Sequence, residues 1–238
     1  MPRFPITQSQ IKDKKAVISG SDYKHAVKVL RLRVGDELTL FKESGIEYFG
    51  IITKIGTKDI EVEVKEVKET QRESRLNITL LQGIPKGNKL DFIVEKATEL
   101  GVRTLAPVIT ERSQLIDTRR LERWRKIARE ASKQCGRTKP MEVLPITNFS
   151  GAIESEIDKD LKIIFWEGAT RKLKELTKNH SLKTVTLLVG PEGGFSKKEV
   201  EEACDMGFIP IGLGPRILRT ETASVVGVTL IQFLFGDI

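Results

Sequence analysis

The stretch Thr184-Val-Thr-Leu-Leu-Val-Gly-Pro-Glu-Gly-Gly-Phe-Ser-Lys-Lys-Glu199 decides the fold of most of this chain. It begins with an apolar run, Thr184–Val189, that is typical of a strand in a parallel sheet covered on both faces. It ends with Ser196-Lys-Lys-Glu199, a capping box that opens a helix. The glycine-rich turn between them, Gly190–Gly194, lets backbone approach a ligand closely. This order of strand, turn and helix predicts an α/β domain with a ligand site at the carboxyl end of the strand.

A second stretch of the same kind is Leu213-Gly-Pro-Arg-Ile-Leu-Arg-Thr-Glu-Thr-Ala223. It lies between a predicted short strand, Phe208–Ile211, and a predicted apolar helix, Thr222–Phe235. Its many hydrogen-bonding side chains favour a binding loop, although an Arg–Glu pair there has a structural interpretation too. Neither stretch matches the glycine pattern of dinucleotide-binding or P-loop proteins, so phosphate binding is disfavoured.

Strands and helices alternate from Leu76 onward, which predicts an α/β domain over residues 73–238. Its other predicted strands are Leu76–Gln82, Leu105–Ile109 and Leu161–Trp166, and its other predicted helices are a segment capped by Asn88 and closed by Gly101, Arg119–Cys135, and a segment from Ser196 to Gly207.

Residues 1–72 instead predict a small β-barrel, since short strands dominate there. The predicted elements are strands Leu38–Glu43, Ile46–Ile55 and Ile60–Val67, a hairpin turn at Ser44-Gly45, and one helix at Asp22–Leu30 capped by Ser21 or Asp22. The polar segment 68–75 is the predicted linker.

The positive charge of the chain is concentrated in one segment. The net charge is +7, and the segment Arg112–Lys139 holds ten Lys or Arg against three Asp or Glu. An excess confined to one place indicates an anionic partner, of which RNA is the commonest. The other interpretation is a solvated helix face.

Cysteine, histidine and apolar content exclude several classes of protein. The chain has two cysteines, Cys135 and Cys204, and two histidines, His25 and His180, with no zinc spacing. Both cysteines fall at apolar helical positions and are predicted to be buried. No apolar run is long enough to span a bilayer and the N-terminus lacks a signal peptide. We therefore expect a cytoplasmic protein with no metal and no membrane partner.

The two C-terminal stretches, GPEGGFS and LGPRILRTETA, resemble the signature of the RsmE family. These are bacterial small-subunit ribosomal RNA uracil-N3 methyltransferases of the SPOUT, or α/β-knot, class. Other segments resemble the family too, so that the resemblance spans nearly the whole chain: His25–Arg31, Lys89–Gly101, Thr110–Ser113 and Trp124–Arg137.

The resemblance implies a PUA-like N-terminal barrel that helps to dock RNA and a C-terminal SPOUT domain with a trefoil knot. It implies S-adenosylmethionine as the cofactor and a homodimer with each active site near the interface. It also implies 16S ribosomal RNA of the small subunit as the partner, with uracil 1498 as the family target. A sulfonium leaving group is already activated, which agrees with the absence of a metal motif.

The resemblance and the residue chemistry together give a set of candidate site residues. The predicted cofactor contacts are Leu188, Val189, Gly190, Glu192, Gly193, Gly194, Leu213, Gly214, Ile217, Leu218, Arg219, Thr222 and Ala223. Leu213, Ile217 and Leu218 are predicted to sandwich the adenine. Arg219 is the candidate that orients uracil or stabilises its anion. Glu221 is either the base or the residue that holds Arg219, and Arg112 is the reserve candidate.

A basic stripe on the helix Arg119–Cys135 is predicted to follow phosphates. The predicted RNA contacts are His25, Arg31, Arg112, Arg119, Arg123, Lys126, Lys133 and Arg137. For His25, a half-buried structural role is an equal alternative. Two other functions stay open on the same scaffold: a SPOUT methyltransferase acting on transfer or large-subunit RNA, and a non-catalytic RNA-binding or ribosome-assembly factor.

Overall fold

The structure is a computed structural model that describes residues 1–42, 44–70, 72–113, 120–176 and 182–238. Its internal contacts divide the chain into two units. The N-terminal unit comprises Met1–Glu73 together with Ser132–Lys139. The C-terminal unit comprises Ser74–Ala131 together with Pro140–Ile238. Each unit has its own buried apolar cluster, as a folding unit requires.

The N-terminal unit is built on one curled sheet. Its strands are β1 (Arg3–Pro5), β2 (Ile11–Lys12), β3 (Lys15–Ser19), β4 (Glu37–Phe41), β5 (Ile46–Ile55) and β6 (Asp59–Glu69), in the order β1-β4-β5-β6-β3-β2. Strand β1 runs parallel to β4, and the other neighbours are antiparallel. The predicted hairpin is confirmed, because β4 and β5 pair across Gly45, whose φ is +91°. Strands β1 to β3 were not predicted, since they are short.

The predicted helix Asp22–Leu30 is wrong in its bounds and in its type. An α-helix, α1 (Gly20–Lys24), begins after Ser19 and continues as a π-helical turn, His25–Val29. In this turn the Leu30 amide donates to the His25 carbonyl at 3.0 Å, five residues back. Hydrophobic periodicity does not distinguish this bonding pattern from an α-helix over so short a segment.

The C-terminal unit is built on a parallel sheet, which confirms the predicted α/β class. Its strands are β7 (Asn77–Gly83), β8 (Thr104–Ile109), β9 (Glu142–Val143), β10 (Thr147–Asn148), β11 (Leu161–Phe165), β12 (Thr184–Val189) and β13 (Ile209–Ile211). The order is β10-β8-β7-β12-β11-β13, with β9 beside β8, and each of these pairs is parallel. The strand predicted at Thr184–Val189 has the observed bounds.

Helices cover both faces of this sheet. They are α2 (Lys89–Glu99), α3 (Arg120–Cys135), α4 (Phe149–Glu154), α5 (Lys197–Asp205) and α6 (Thr220–Phe235), with a 3-10 turn at Leu173–Glu175. Consecutive residues of β12 show the two layers, because Leu187 lies in one buried cluster and Leu188 in the other. Among the described residues, no helix has the length and apolar character that a membrane crossing needs.

The helix boundary signals are confirmed at α5 and only partly elsewhere. The Glu199 amide donates to the Ser196 hydroxyl at 3.3 Å, and the Ser196 amide donates to the Glu199 carboxylate at 2.8 Å, which completes the capping box. The predicted burial of the two cysteines is wrong, because Cys204 is exposed and Cys135 is only partly buried. Ala203 takes the buried position of α5, and the next residue points about 100° away around the helix.

Candidate active site

A pocket opens at the carboxyl edge of the parallel sheet, where β12, β11 and β13 end side by side. It encloses about 870 Å³ including its open mouth. Residues 165–167 line it after β11, residues 189–195 after β12, and residues 213–218 after β13, together with Thr220 and Ala223 of α6. Ligands bind at this edge in α/β sheets.

The loop after β12, Gly190–Gly194, is a tight turn that we call the glycine loop. The Gly194 amide donates to the Pro191 carbonyl at 2.9 Å, and the φ of Gly194 is +66°. A Cβ on Gly83, the last residue of β7, would lie 2.6 Å from Pro191 Cδ. Because Gly83 has no side chain, the end of β7 packs directly against this loop.

The side chain of Glu192 connects the glycine loop, to which it belongs, to the segment that follows β7. Its carboxylate accepts from the Lys86 amide at 3.1 Å and from Lys89 Nζ at 2.7 Å. Burial raises the pKa of Glu192, but the hydrogen bonds and charge of Lys89 and the Lys86 amide outweigh it and hold the pKa below its usual value. Glu192 lines the pocket as predicted, yet its carboxylate is engaged with these groups.

Arg112 supports the same loop. Its Nη1 donates to the Gly193 carbonyl at 2.6 Å, and a Cβ on Gly193 would lie 3.1 Å from Arg112 Cβ. The neighbouring Glu111 amide donates to Glu199 at 2.8 Å, which joins the Arg112 segment to the start of α5. Arg112 is not among the described residues that line the pocket.

The loop after β13, Leu213–Leu218, is more open, and we call it the second loop. Ile217 is 82% exposed, whereas Leu213 and Leu218 are half-buried. Gly214 has a φ of +120°. Within the described part of the chain, the residues of this loop make no hydrogen bond to one another or to other residues. The predicted apolar contacts therefore face the pocket from a loosely held segment.

The wall after β11 was missed by the sequence analysis. It consists of Phe165, Trp166 and Glu167. Gly227 of α6 makes room for it, because a Cβ there would lie 2.9 Å from Phe165 Cζ. The local sequence carries no loop motif. Its one signal was the position of a predicted strand beside Thr184–Val189, since parallel strands end at the same edge.

Most of the predicted cofactor contacts come together at this pocket. Those that line it are Val189, Gly190, Glu192, Gly193, Gly194, Leu213, Gly214, Ile217, Leu218 and Ala223. Those that lie outside the described lining are Leu188, which is buried within the sheet, and Arg219 and Thr222, which are exposed. Lining residues that were not predicted are Phe165, Trp166, Glu167, Pro191, Phe195, Pro215, Arg216 and Thr220.

The two predicted catalytic residues flank Thr220 at the start of α6. Arg219 is the N-cap residue of this helix, and its side chain makes no cap hydrogen bond. Glu221 lies in the first turn, and its Oε2 atom is buried without a hydrogen-bond partner among the described residues. The described contacts therefore include no Arg219–Glu221 pair.

The basic stripe of α3 is less uniform than its spacing predicts. Lys126 is exposed, and Arg123 is exposed while it pairs with Asp91 at 2.7 Å. Arg119 lies outside the described residues. Lys126 therefore keeps an exposed charge, whereas the charge of Arg123 is offset by Asp91.

The predicted RNA contacts in the N-terminal unit divide into exposed and buried ones. His25 and Arg31 are exposed, so the half-buried alternative for His25 does not hold. Lys133 pairs with Asp22 at 3.1 Å. Arg137 is buried and pairs with Glu73 at 2.8 Å, so it is a poor candidate for a phosphate contact. Arg137 lies two residues beyond Cys135, the last residue of α3, so helical spacing does not predict the direction of its side chain.

No group of three or more possible metal ligands occurs among the described residues. The loops of the pocket offer backbone groups, apolar side chains and the charged residues Glu167, Glu192 and Arg216.

The comparison with protein families gives two matches. A model described as an RNA methyltransferase domain matches residues 72–232, and a model described as an RNA methyltransferase PUA domain matches residues 18–65. Two proteins with the name ribosomal RNA small subunit methyltransferase E are similar over nearly their whole length. The one from Buchnera aphidicola is 36% identical, covering 100% of this chain and 95% of the relative, and the one from Bacillus subtilis is 30% identical, covering 96% and 94%.

Solved structures give the same result. The ribosomal RNA small subunit methyltransferase E of Neisseria gonorrhoeae, bound to S-adenosyl methionine, has a TM-score of 0.90 at 34% identity and covers 100% of this chain and 99% of its own. A putative methyltransferase of Legionella pneumophila, in complex with the same cofactor, has a TM-score of 0.89 at 32% identity, with 99% and 98% covered. The predicted SPOUT class with a PUA-like N-terminal domain is confirmed. This chain belongs to the ribosomal RNA small subunit methyltransferase E family, the RsmE family that its C-terminal motifs indicate.

Proposed function

We propose that this chain transfers the methyl group of S-adenosylmethionine to N3 of one uridine in the 16S ribosomal RNA of the small subunit. Uridine 1498, the family target, is the proposed nucleotide. The observation that carries the proposal is the pocket formed by the two predicted loops at the carboxyl edge of the sheet. Membership of the family and the cofactor bound to a relative with a TM-score of 0.90 support it.

The residues of the pocket fit S-adenosylmethionine. Backbone amides and carbonyls of the glycine loop suit the polar edges of the molecule, and Leu213, Ile217 and Leu218 offer apolar surface to the adenine. Bound there, the cofactor supplies a methyl group that is already activated on a sulfonium. The protein then has to orient the uracil, remove the N3 proton and exclude water.

Arg219 and Glu221 are the proposed groups for this task. The first amides of α6 add positive potential near Arg219, which favours an anion that develops on uracil. Glu221 Oε2 is buried without a partner among the described residues, and such an oxygen is costly unless a bound group supplies a donor. Because Glu221 is not among the described lining residues, we propose it either as the base that accepts the N3 proton of uracil or as a support for Arg219.

Reaction of the purified protein with unmodified small subunits and labelled S-adenosylmethionine tests the function. We expect label at N3 of one uridine, located by mass mapping of the RNA. Label only in transfer RNA, in large-subunit RNA or at a ribose would contradict the substrate. Failure to bind S-adenosylmethionine at high micromolar concentration would favour a non-catalytic RNA-binding factor.

Single variants test the catalytic roles. Arg219→Ala should lose on the order of a hundredfold in turnover and keep its affinity for S-adenosylmethionine. Glu221→Gln should lose activity across the pH range if Glu221 is the base. The control is Lys198→Ala, an exposed lysine of α5 outside the pocket lining. Turnover of Arg219→Ala near the wild-type rate would exclude its role.

Two exposed surfaces are the proposed RNA contacts. Residues 24–34 of the N-terminal unit contain four Lys or Arg and no acidic residue. Lys126 and Arg123 lie on α3. Replacing Arg31 and Lys126 with Ala should each lower the salt slope of RNA binding by about one unit. Arg137→Ala, whose guanidinium is buried, is the contrast: it should lower stability and leave the slope unchanged.

We propose a homodimer that uses α6. This helix has one charged residue, Glu221, and Phe233 on it is 63% exposed. Residues 225–235 of this helix are apolar or glycine except Thr229 and Gln232, so a second copy of the chain is the proposed cover for its exposed apolar side chains. Light scattering of the purified protein should give twice the mass of the chain. We propose a cytoplasmic location, where the small subunit is assembled.

A further inference from the structure

Gln82 is a fully buried amide at the carboxyl end of β7. Its exposed fraction is 0%, and its neighbours along the strand, Leu80 and Leu81, are apolar core residues. Burying an amide is costly unless its donors and acceptor are satisfied. A glutamine at such a place therefore needs partners that justify it.

The hydrogen-bond partners of Gln82 at 3.0 Å or less come from β7 itself and from α6. Nε2 donates to the Gly83 carbonyl and to Thr220 Oγ1, each at 3.0 Å. Oε1 accepts from Ser224 Oγ. Thr220 Oγ1 in turn donates to the Gly190 carbonyl at 2.6 Å. The chain of bonds runs from α6 through β7 to the glycine loop.

This network connects two walls of the pocket from behind. Gly190 and Thr220 both line the pocket, whereas Gln82 and Ser224 are not among the described lining residues. Arg219 alone separates Thr220 from the end of the second loop. A change at Gln82 therefore reaches the pocket through Thr220 and Gly190, and through the Val189 carbonyl, which lies 3.5 Å from Nε2.

We propose that Gln82 is a positioning residue that sets the separation of the glycine loop and the start of α6. The inference rests on the proposed binding of S-adenosylmethionine in this pocket. An apolar side chain of equal length would leave Thr220 Oγ1 without its donor, whereas Ser224 Oγ would keep the Thr220 carbonyl as its acceptor at 2.9 Å. Thr220 Oγ1 is buried, so the start of α6 would shift to satisfy it, and the Gly190 carbonyl bonded to it would shift as well.

The matched control is Thr186, in the middle of the neighbouring strand β12. It is also 0% exposed, and its hydroxyl donates to Glu156 Oε2 at 2.6 Å. Neither Thr186 nor Glu156, which follows α4, is among the described lining residues of the pocket. Thr186→Val thus removes a buried hydrogen bond of the same sheet without reaching the pocket.

Calorimetry with S-adenosylmethionine, combined with thermal unfolding, tests the inference. Gln82→Met should weaken binding by about tenfold or more, whereas Thr186→Val should lower Tm and keep wild-type affinity. Gln82→Met with wild-type affinity would overturn the inference. A wild-type protein that does not bind the cofactor would instead overturn the proposed function.

Thr220 variants keep the test decisive if Gln82→Met does not fold. Thr220→Ser retains the hydroxyl and should keep affinity within about threefold of wild type, whereas Thr220→Val retains the shape and should lose about tenfold. Equal affinities for the two variants would contradict the network. In a double variant, Gln82→Met and Thr220→Val should be less than additive, because both remove the same bond.

Discussion

The two loops that face each other across the pocket differ in how they are held. Three hydrogen bonds hold the glycine loop. The Glu192 carboxylate accepts from the Lys86 amide, Arg112 donates to the Gly193 carbonyl, and Thr220 donates to the Gly190 carbonyl. The second loop makes no hydrogen bond within the described residues, and its Ile217 side chain is 82% exposed. One wall of the site is therefore held by hydrogen bonds, whereas the other relies on apolar packing, such as that of Leu213 against the core.

The difference indicates how binding free energy is divided. A preformed wall contributes its contacts without an ordering cost, whereas a loose wall loses conformational entropy when it closes. Substitutions that disturb the glycine loop should therefore change both the free energy of unfolding and the affinity for S-adenosylmethionine. Substitutions in the second loop should change the affinity alone.

Gly83→Ala should have the largest effect, because it breaks the preformed wall. The added Cβ would lie 2.6 Å from Pro191 Cδ and 2.8 Å from Pro191 N, so the glycine loop would have to move. Overpacking of this kind typically costs about 1–3 kcal/mol, and we expect a loss of affinity for S-adenosylmethionine of about tenfold to a hundredfold in calorimetry.

The control for this variant is Gly87→Asn. Gly87 has a φ of +65°, and a Cβ added there would meet no heavy atom of the described residues within 4 Å. Asparagine tolerates that backbone conformation, so its affinity should stay at the wild-type value. A wild-type affinity for Gly83→Ala would mean that the glycine loop is not held by the end of β7.

Ile217→Ala should separate binding from stability. Its side chain is exposed in the absence of ligand, so the free energy of unfolding should change by less than about 0.5 kcal/mol. Affinity for S-adenosylmethionine should fall by up to about tenfold, since the side chain becomes buried only on binding. Ile157→Ala, which removes another exposed isoleucine, should change neither quantity. Unchanged affinity for Ile217→Ala would exclude the adenine contact.

Glu192→Gln should have the smallest effect and should depend on pH. The pKa of Glu192 is lowered in the folded state, so its stabilisation is present above the ordinary value of 4.5 and is lost as the pH falls through the folded pKa. Urea unfolding at pH 7 should show a loss of up to about 1 kcal/mol that shrinks toward pH 4. Glu122→Gln, in an exposed pair with Arg125, should show almost none. A loss that grows at low pH would contradict the assignment.

The parts of the site that follow from the sequence are those where local signals agree. The run Thr184–Val189, the glycines after it and the capping box at Ser196 each indicate the same strand, loop and helix. The second loop is marked in the same way by Gly214 and by the apolar helix that follows. Such agreement between local and global preferences is expected of a foldable sequence.

The parts that do not follow depend on contacts distant in sequence. The wall at Phe165–Glu167 joins the site because β11 lies between β12 and β13, and strand order is not encoded locally. Arg137 turns inward because Glu73, 64 residues away, offers it a carboxylate. The π-helical turn His25–Val29 differs from an α-helix in one hydrogen-bond step, which a hydrophobic pattern does not register.

Hydrogen exchange with and without S-adenosylmethionine tests the central claim that this pocket binds the cofactor between a preformed wall and a loose one. We predict that amides of Leu213–Arg219 exchange fast in the free protein and slow down on binding, by about tenfold or more. The Gly194 amide, which donates to the Pro191 carbonyl, should already be protected, and the N-terminal unit should not respond. Equal exchange of Leu213–Arg219 with and without the cofactor, under conditions where calorimetry shows binding, would contradict the account.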